Sequence, residues 1–115
     1  MVPRELNAAL LKAFPELASD FDEYVSWQDG MDTGAFLTYE VVFRPRLEKA
    51  IALDDVAFLQ RAGAFIEELF TSGDSYAVNV VYVGILEGLK ANCDNAAVRL
   101  FLEAKSLAEF DALTY

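Results

Sequence analysis

The chain has 115 residues, 55% hydrophobic and 13% aromatic, with 19 acidic against 9 basic side chains and no histidine. That length suits one domain over residues 1–115, and the apolar content excludes intrinsic disorder. A net charge of −10 argues against nucleic acid and anionic membrane as partners, and the missing histidines remove imidazole bases, Ser-His or Cys-His nucleophiles and His-ligated zinc.

Pro3 suits the first position of a helix, where its missing N–H costs nothing, and Leu6, Ala9, Leu10 and Ala13 follow at helical spacing. Pro15 disfavours helical geometry at Phe14 and so ends that helix. A second helix is expected from Pro15 to about Trp27, with Leu17, Phe21, Tyr24 and Val25 inward and Glu16, Asp20, Asp22 and Glu23 outward. The main loop follows, from Gln28 to Gly34, with two glycines and two aspartates. Between Phe36 and Leu53 the pattern is ambiguous. Leu37, Tyr39, Val41 and Phe43 alternate with Thr38, Glu40, Val42 and Arg44 as in a half-buried strand. No second strand of comparable strength exists to pair with it, so a helix is favoured, kinked or restarted at Pro45.

Asp54 is expected to cap a helix whose stripe is Phe58, Leu59, Ala62, Phe65, Ile66, Leu69 and Phe70. Ser72-Gly73-Asp74 reads as a stop and a new cap. Ser75 to Ala91 is apolar almost all round and is the expected buried central helix. Asn92 to Asp94 offers a further cap, followed by the apolar Ala96, Ala97, Leu100 and Phe101. Ser106 and Glu109 match a capping box opening the last helix. The sum is an all-α single compact domain of about six or seven short helices.

Cys93 can form no internal disulfide and reads as a small apolar filler. Nothing resembles a secretory signal, and no run approaches the ~20 apolar residues of a membrane span, so a cytoplasmic location is expected. No cofactor, metal or catalytic constellation is recognisable. From Asp20, the fifth and sixth positions of a calcium loop would be Tyr24 and Val25, so an EF-hand fails; a paired-carboxylate hydrolase is only formally possible. Gly84 and Gly88 have the spacing of close helix approach, and Asn79 and Glu87 share a polar strip suited to tying down a neighbouring helix end. The densest acidic region, Asp20, Asp22 and Glu23 with Asp29 and Asp32, surrounds Trp27, and these six residues are the candidate partner-binding site. Trp27 is either an interface anchor or a lid on the core beneath the loop.

The stretch from Phe65 through Glu67-Glu68-Leu69-Phe70, Ser72-Gly73-Asp74 and Val78-Asn79-Val80-Val81 to Leu86-Glu87-Gly88-Leu89 resembles a family of small helical bacterial proteins. Several of them look like immunity proteins of contact-dependent or polymorphic toxin systems. The resemblance is best over Asp54 to Leu102, and the Tyr-Tyr pattern of colicin-nuclease immunity proteins is absent. It implies no catalytic residues; Glu67, Asn79, Glu87 and Leu89 match its repeated positions as scaffold. The function it implies is stoichiometric occlusion of a cognate protein toxin, with a basic nuclease as a fitting target for an acidic inhibitor. The alternative is a helical adaptor or regulatory module with a non-toxin partner.

Overall fold

Pro3–Ala13 forms helix α1, with Pro3 in its first turn and the Val2 N–H donated to Glu5 Oε1 at 2.9 Å. The computed structural model describes residues 1–25 and 30–113. Phe14 leaves helical geometry (φ −131°, ψ 75°), as a residue before proline tends to. The expected helix from Pro15 splits into a 3₁₀ turn, Pro15–Leu17, and a short helix α2, Ala18–Val25.

Residues 35–53 form one helix, α3, composed of Ala35–Thr38, a π-helical turn at Tyr39–Phe43 and Arg44–Leu53. The helical alternative is therefore the right one. Pro45 lacks an N–H and crowds the carbonyl four residues back. The widened turn just before it, where the Arg44 N–H reaches Tyr39 O, accommodates that defect. Ala35, Tyr39, Val42, Phe43, Leu47 and Ala50 are buried, whereas Leu37 and Val41 lie about half exposed on the outer face. The strand-like alternation arises because residues from both helix faces are apolar.

Asp54 closes α3 in the left-handed region (φ 54°), which Asp tolerates better than most residues. It is not the cap of the next helix, α4 (Val56–Phe70). Asp55 takes that role, its carboxylate accepting the Phe58 N–H at 3.2 Å. Gly73 (φ 79°) makes the expected stop, and Asp74 accepts the Ala77 N–H at 3.0 Å. Helix α5 spans residues 75–92 as Ser75–Val81, a second π-turn at Tyr82–Leu86, and Glu87–Asn92. It is the central helix: Ala77, Val80, Val81, Ile85, Leu86 and Leu89 are all fully buried.

The two π-turns pack on each other, and the glycine pair of α5 makes the approach possible. A Cβ on Gly84 would stand 3.3 Å from Phe36 O, and one on Gly88 would overlap the Arg44 guanidinium. Asp94 caps α6, Asn95–Arg99, through the Ala96 N–H. Leu100, one of the apolar residues that follow this cap, is 87% exposed because α6 ends at Arg99 and the chain turns there. The carbonyl of Phe101 presses on α4 at Gly63, where a Cβ would lie 2.0 Å from that oxygen.

The last helix, α7, is Ala104–Ala112. It starts two residues before Ser106, so the expected capping box does not form. Glu67 of α4 caps it from outside, accepting the Lys105 and Ser106 N–H groups at 3.0 Å each and the Ser106 hydroxyl at 2.8 Å. At the centre of the core, Phe14 meets Phe43, Phe58 and Phe65 with ring centroids 5.0–5.4 Å apart. The buried Tyr39 hydroxyl donates to Leu6 O at 2.7 Å, and burial raises its pKa well above the usual phenol value. The described residues are helical or irregular, with no strand among them.

Candidate functional site

The amphipathic register of α2 follows from Leu17 and Phe21, four residues apart and both buried. That register turns Asp20, Asp22 and Glu23 outward, where all three are exposed. Asp20 and Glu23, together with Tyr24, form one wall of an open cleft of about 630 Å³. The other wall is α3, where the exposed Val41 and Pro45 and the buried Val42 lie beside Arg46 and Lys49. Asp22 does not line the cleft.

Asp32 is drawn elsewhere. It ends a 3₁₀ turn, Gly30–Asp32, and accepts Arg4 Nε and Nη2 of α1 at 2.9 Å each, a bidentate pair that lowers the carboxyl pKa. The same turn is fastened by the buried Asn7, whose amide donates to Met31 O at 2.9 Å and Thr33 O at 2.8 Å. Trp27 and Asp29 lie outside the described residues. Of the six candidates, the structure thus brings Asp20 and Glu23 to a cleft, leaves Asp22 beside it and engages Asp32 with α1.

The basic side chains explain why the acidic surplus stays on the surface. Each of the five arginines has a carboxylate partner. Arg4 pairs with Asp32, Arg46 with Asp55 at 3.5 Å, Arg61 with Glu16 at 2.8 Å and Arg99 with Asp111. Arg44 lies between Glu40 and Glu48 at 3.9 and 3.8 Å. Arg46 also stacks over the Phe58 ring at 4.1 Å, and Arg61 over Phe14 at 4.9 Å, so the guanidinium groups cover the core edge. Asp20 and Asp22 join no ion pair among the described residues.

Sequence reasoning missed the α3 wall. Once residues 36–53 are wound as a helix, Leu37, Val41 and Pro45 fall four apart on the face opposite Tyr39, Phe43 and Leu47. That apolar ridge was readable, but its pairing with α2 was not. Asn79 is exposed and Glu87 half-buried, and neither ties down a neighbour; Glu67 does. Cys93 donates to Glu48 Oε2 at 3.7 Å, and burial, reinforced by that carboxylate, pushes its thiol pKa up to about 11. A thiol so protonated is a poor nucleophile at neutral pH. No helix of the described residues is long and apolar enough to cross a membrane.

A family model described as a domain of unknown function (DUF7674) matches residues 7–113. No curated protein and no solved structure shows significant similarity to the chain.

Proposed function

We propose that this chain, which belongs to the DUF7674 domain family, is an immunity-type binding protein that neutralises a basic cognate toxin in the cytoplasm by stoichiometric occlusion. The observation that carries the reading is the division of charge. The arginines are held by internal carboxylates, while α2 turns Asp20 to solvent at the lip of an open cleft and Asp22 to solvent away from it. A surface of one sign steers an oppositely charged partner and speeds its association. Occlusion asks nothing of the chain beyond a rigid, complementary surface, so no nucleophile or metal enters the reading.

The test is capture of the partner from the source organism, followed by co-expression. A basic protein that is toxic alone and harmless with equimolar chain supports the proposal. A partner that is neither toxic nor inhibited refutes it. A helical adaptor with a non-toxin partner is the second reading. Lys49 on the α3 wall, which joins no ion pair among the described residues, favours it, because it asks for a carboxylate that a uniformly basic cleft would not present.

A further inference from the structure

Leu100 is the most exposed large apolar side chain among the described residues, at 87%, and it stands at the edge of a hole. The hole is a small cavity of about 110 Å³ between the end of α3, the first turns of α4 and α6. Ile51, Val56, Leu59, Ala97 and Phe101 line it together with Leu100 itself. Val56 is half exposed, so the apolar surface continues from the hole onto α4. Asp54 and Gln60 are its polar lining residues, and Asp54 is the one charge among them. Size limits the occupant. Ligand clefts typically run from about 300 to 1,000 Å³, whereas a cavity of about 150 Å³ holds a single benzene-sized group. The hole therefore takes one aliphatic side chain, neither a helix nor a cofactor.

We infer that this surface is a two-fold contact between two copies of the chain, in which Leu100 of each copy enters the hole of the other. An isologous contact needs a patch that is complementary to itself. Here the protruding side chain and the hole of matching size share one patch, so a single two-fold axis beside Leu100 fills both holes at once. Charge selects the same face. Each copy carries a net charge of −10, and two such molecules meet most easily where charge is sparse, as at the cores of protein interfaces. The contact is small. Leu100 and Val56 expose on the order of 100–200 Å² of side chain per copy, well under the ~800 Å² per partner of a stable complex. The pair is accordingly weak, forms at high protein concentration and strengthens with salt, which screens the repulsion. That salt response is opposite to the one expected of a basic toxin on α2. The inference goes beyond the proposed function and does not rest on it.

Sedimentation velocity of the full chain, from micromolar to millimolar concentration at low and high salt, tests this. The dimer fraction should rise with both concentration and salt. Leu100→Glu should weaken association by about tenfold or more, and its circular dichroism melt should match wild type because the side chain is exposed. Val41→Glu, on the exposed ridge of α3, should leave association unchanged. A mixing experiment reads the reciprocal exchange. Leu100→Ala removes the protruding side chain, and Ala97→Phe fills the hole from within. Each variant alone should be monomeric, whereas an equimolar mixture should recover a heterodimer that keeps one of the two contacts. If Ala97→Phe fails to fold, Leu100→Glu and the salt series still decide. A chain that stays monomeric at millimolar concentration in high salt overturns the inference. So does association that survives Leu100→Glu, or that is lost equally on Val41→Glu. A mixture of folded variants that stays monomeric overturns the exchange of Leu100 between copies. Each of these failures leaves the toxin reading standing, since that reading is judged by inhibition.

Discussion

Replacing Glu67 with alanine would strip the N-terminus of α7 of its side-chain cap. Three donors lose their acceptor: the N–H groups of Lys105 and Ser106 and the Ser106 hydroxyl. Loss of an N-cap side chain costs about 0.5–2 kcal/mol, and hydrogen bonds to a charged group about 1.5–3. The first N–H is exposed and water can reach it, whereas Ser106 is fully buried. A net loss of about 2 kcal/mol follows, or a fall in Tm of roughly 8 °C for a domain of this size. Glu67→Gln keeps a neutral acceptor for the two Ser106 donors and should cost about half as much. The two variants also differ in pH response. Burial raises the Glu67 pKa, but the hydrogen bonds from Ser106 and Lys105 outweigh it and hold the carboxyl below its ordinary 4.5. A carboxyl lowered on folding adds stability that is present above its unfolded value and is lost as pH falls through the folded one. The gap between wild type and Glu67→Gln should therefore be full at pH 7 and close below about pH 4.5. Thermal melts followed by circular dichroism from neutral to acid pH read both effects. A Glu67→Ala melt equal to wild type, or a gap independent of pH, would refute the capping assignment.

Val81→Asp places a charge at a fully buried point of α5 and should cost several kcal/mol, enough to unfold a domain with about 6–17 kcal/mol in hand; an unchanged urea midpoint would place that face in solvent. Gly63→Ala should destabilise by about 1–3 kcal/mol despite alanine's better helix propensity, because the obstructing atom is a backbone oxygen. Gly88→Ala should be far milder in the same denaturation assay, since only the flexible Arg44 side chain must move. Alkylation of Cys93 by iodoacetamide at pH 8 should run much slower than that of a free thiol and accelerate only as pH nears 11.

The segment from Asp54 to Ala91 was legible because independent local signals agree there: acidic caps, a glycine stop and an apolar stripe at helical spacing. The misplaced cap, Asp54 for Asp55, comes from two adjacent aspartates of equal capping ability. Only the tertiary path decides which of them takes the left-handed stop. Ser106 misled for the opposite reason. Its Ser-x-x-Glu pattern sits inside the helix, and the true cap comes from Glu67, 39 residues earlier in sequence, which no local pattern records. The π-turns were hidden as well, since they arise where α3 and α5 cross at Gly84 and at Pro45's neighbour Arg44. At the candidate site, the acids of α2 were readable from their polar periodicity. The cleft was not, because it exists only where α2 packs on the outer face of α3.

The most direct test of the proposed function is a titration of the captured toxin's activity with this chain. Activity should fall linearly to zero at one chain per toxin. Asp20→Asn with Asp22→Asn should slow association and flatten its salt dependence without moving the Tm. Inhibition that completes at a small fraction of one equivalent, or association indifferent to both salt and the two substitutions, would contradict stoichiometric occlusion by the acidic face of α2.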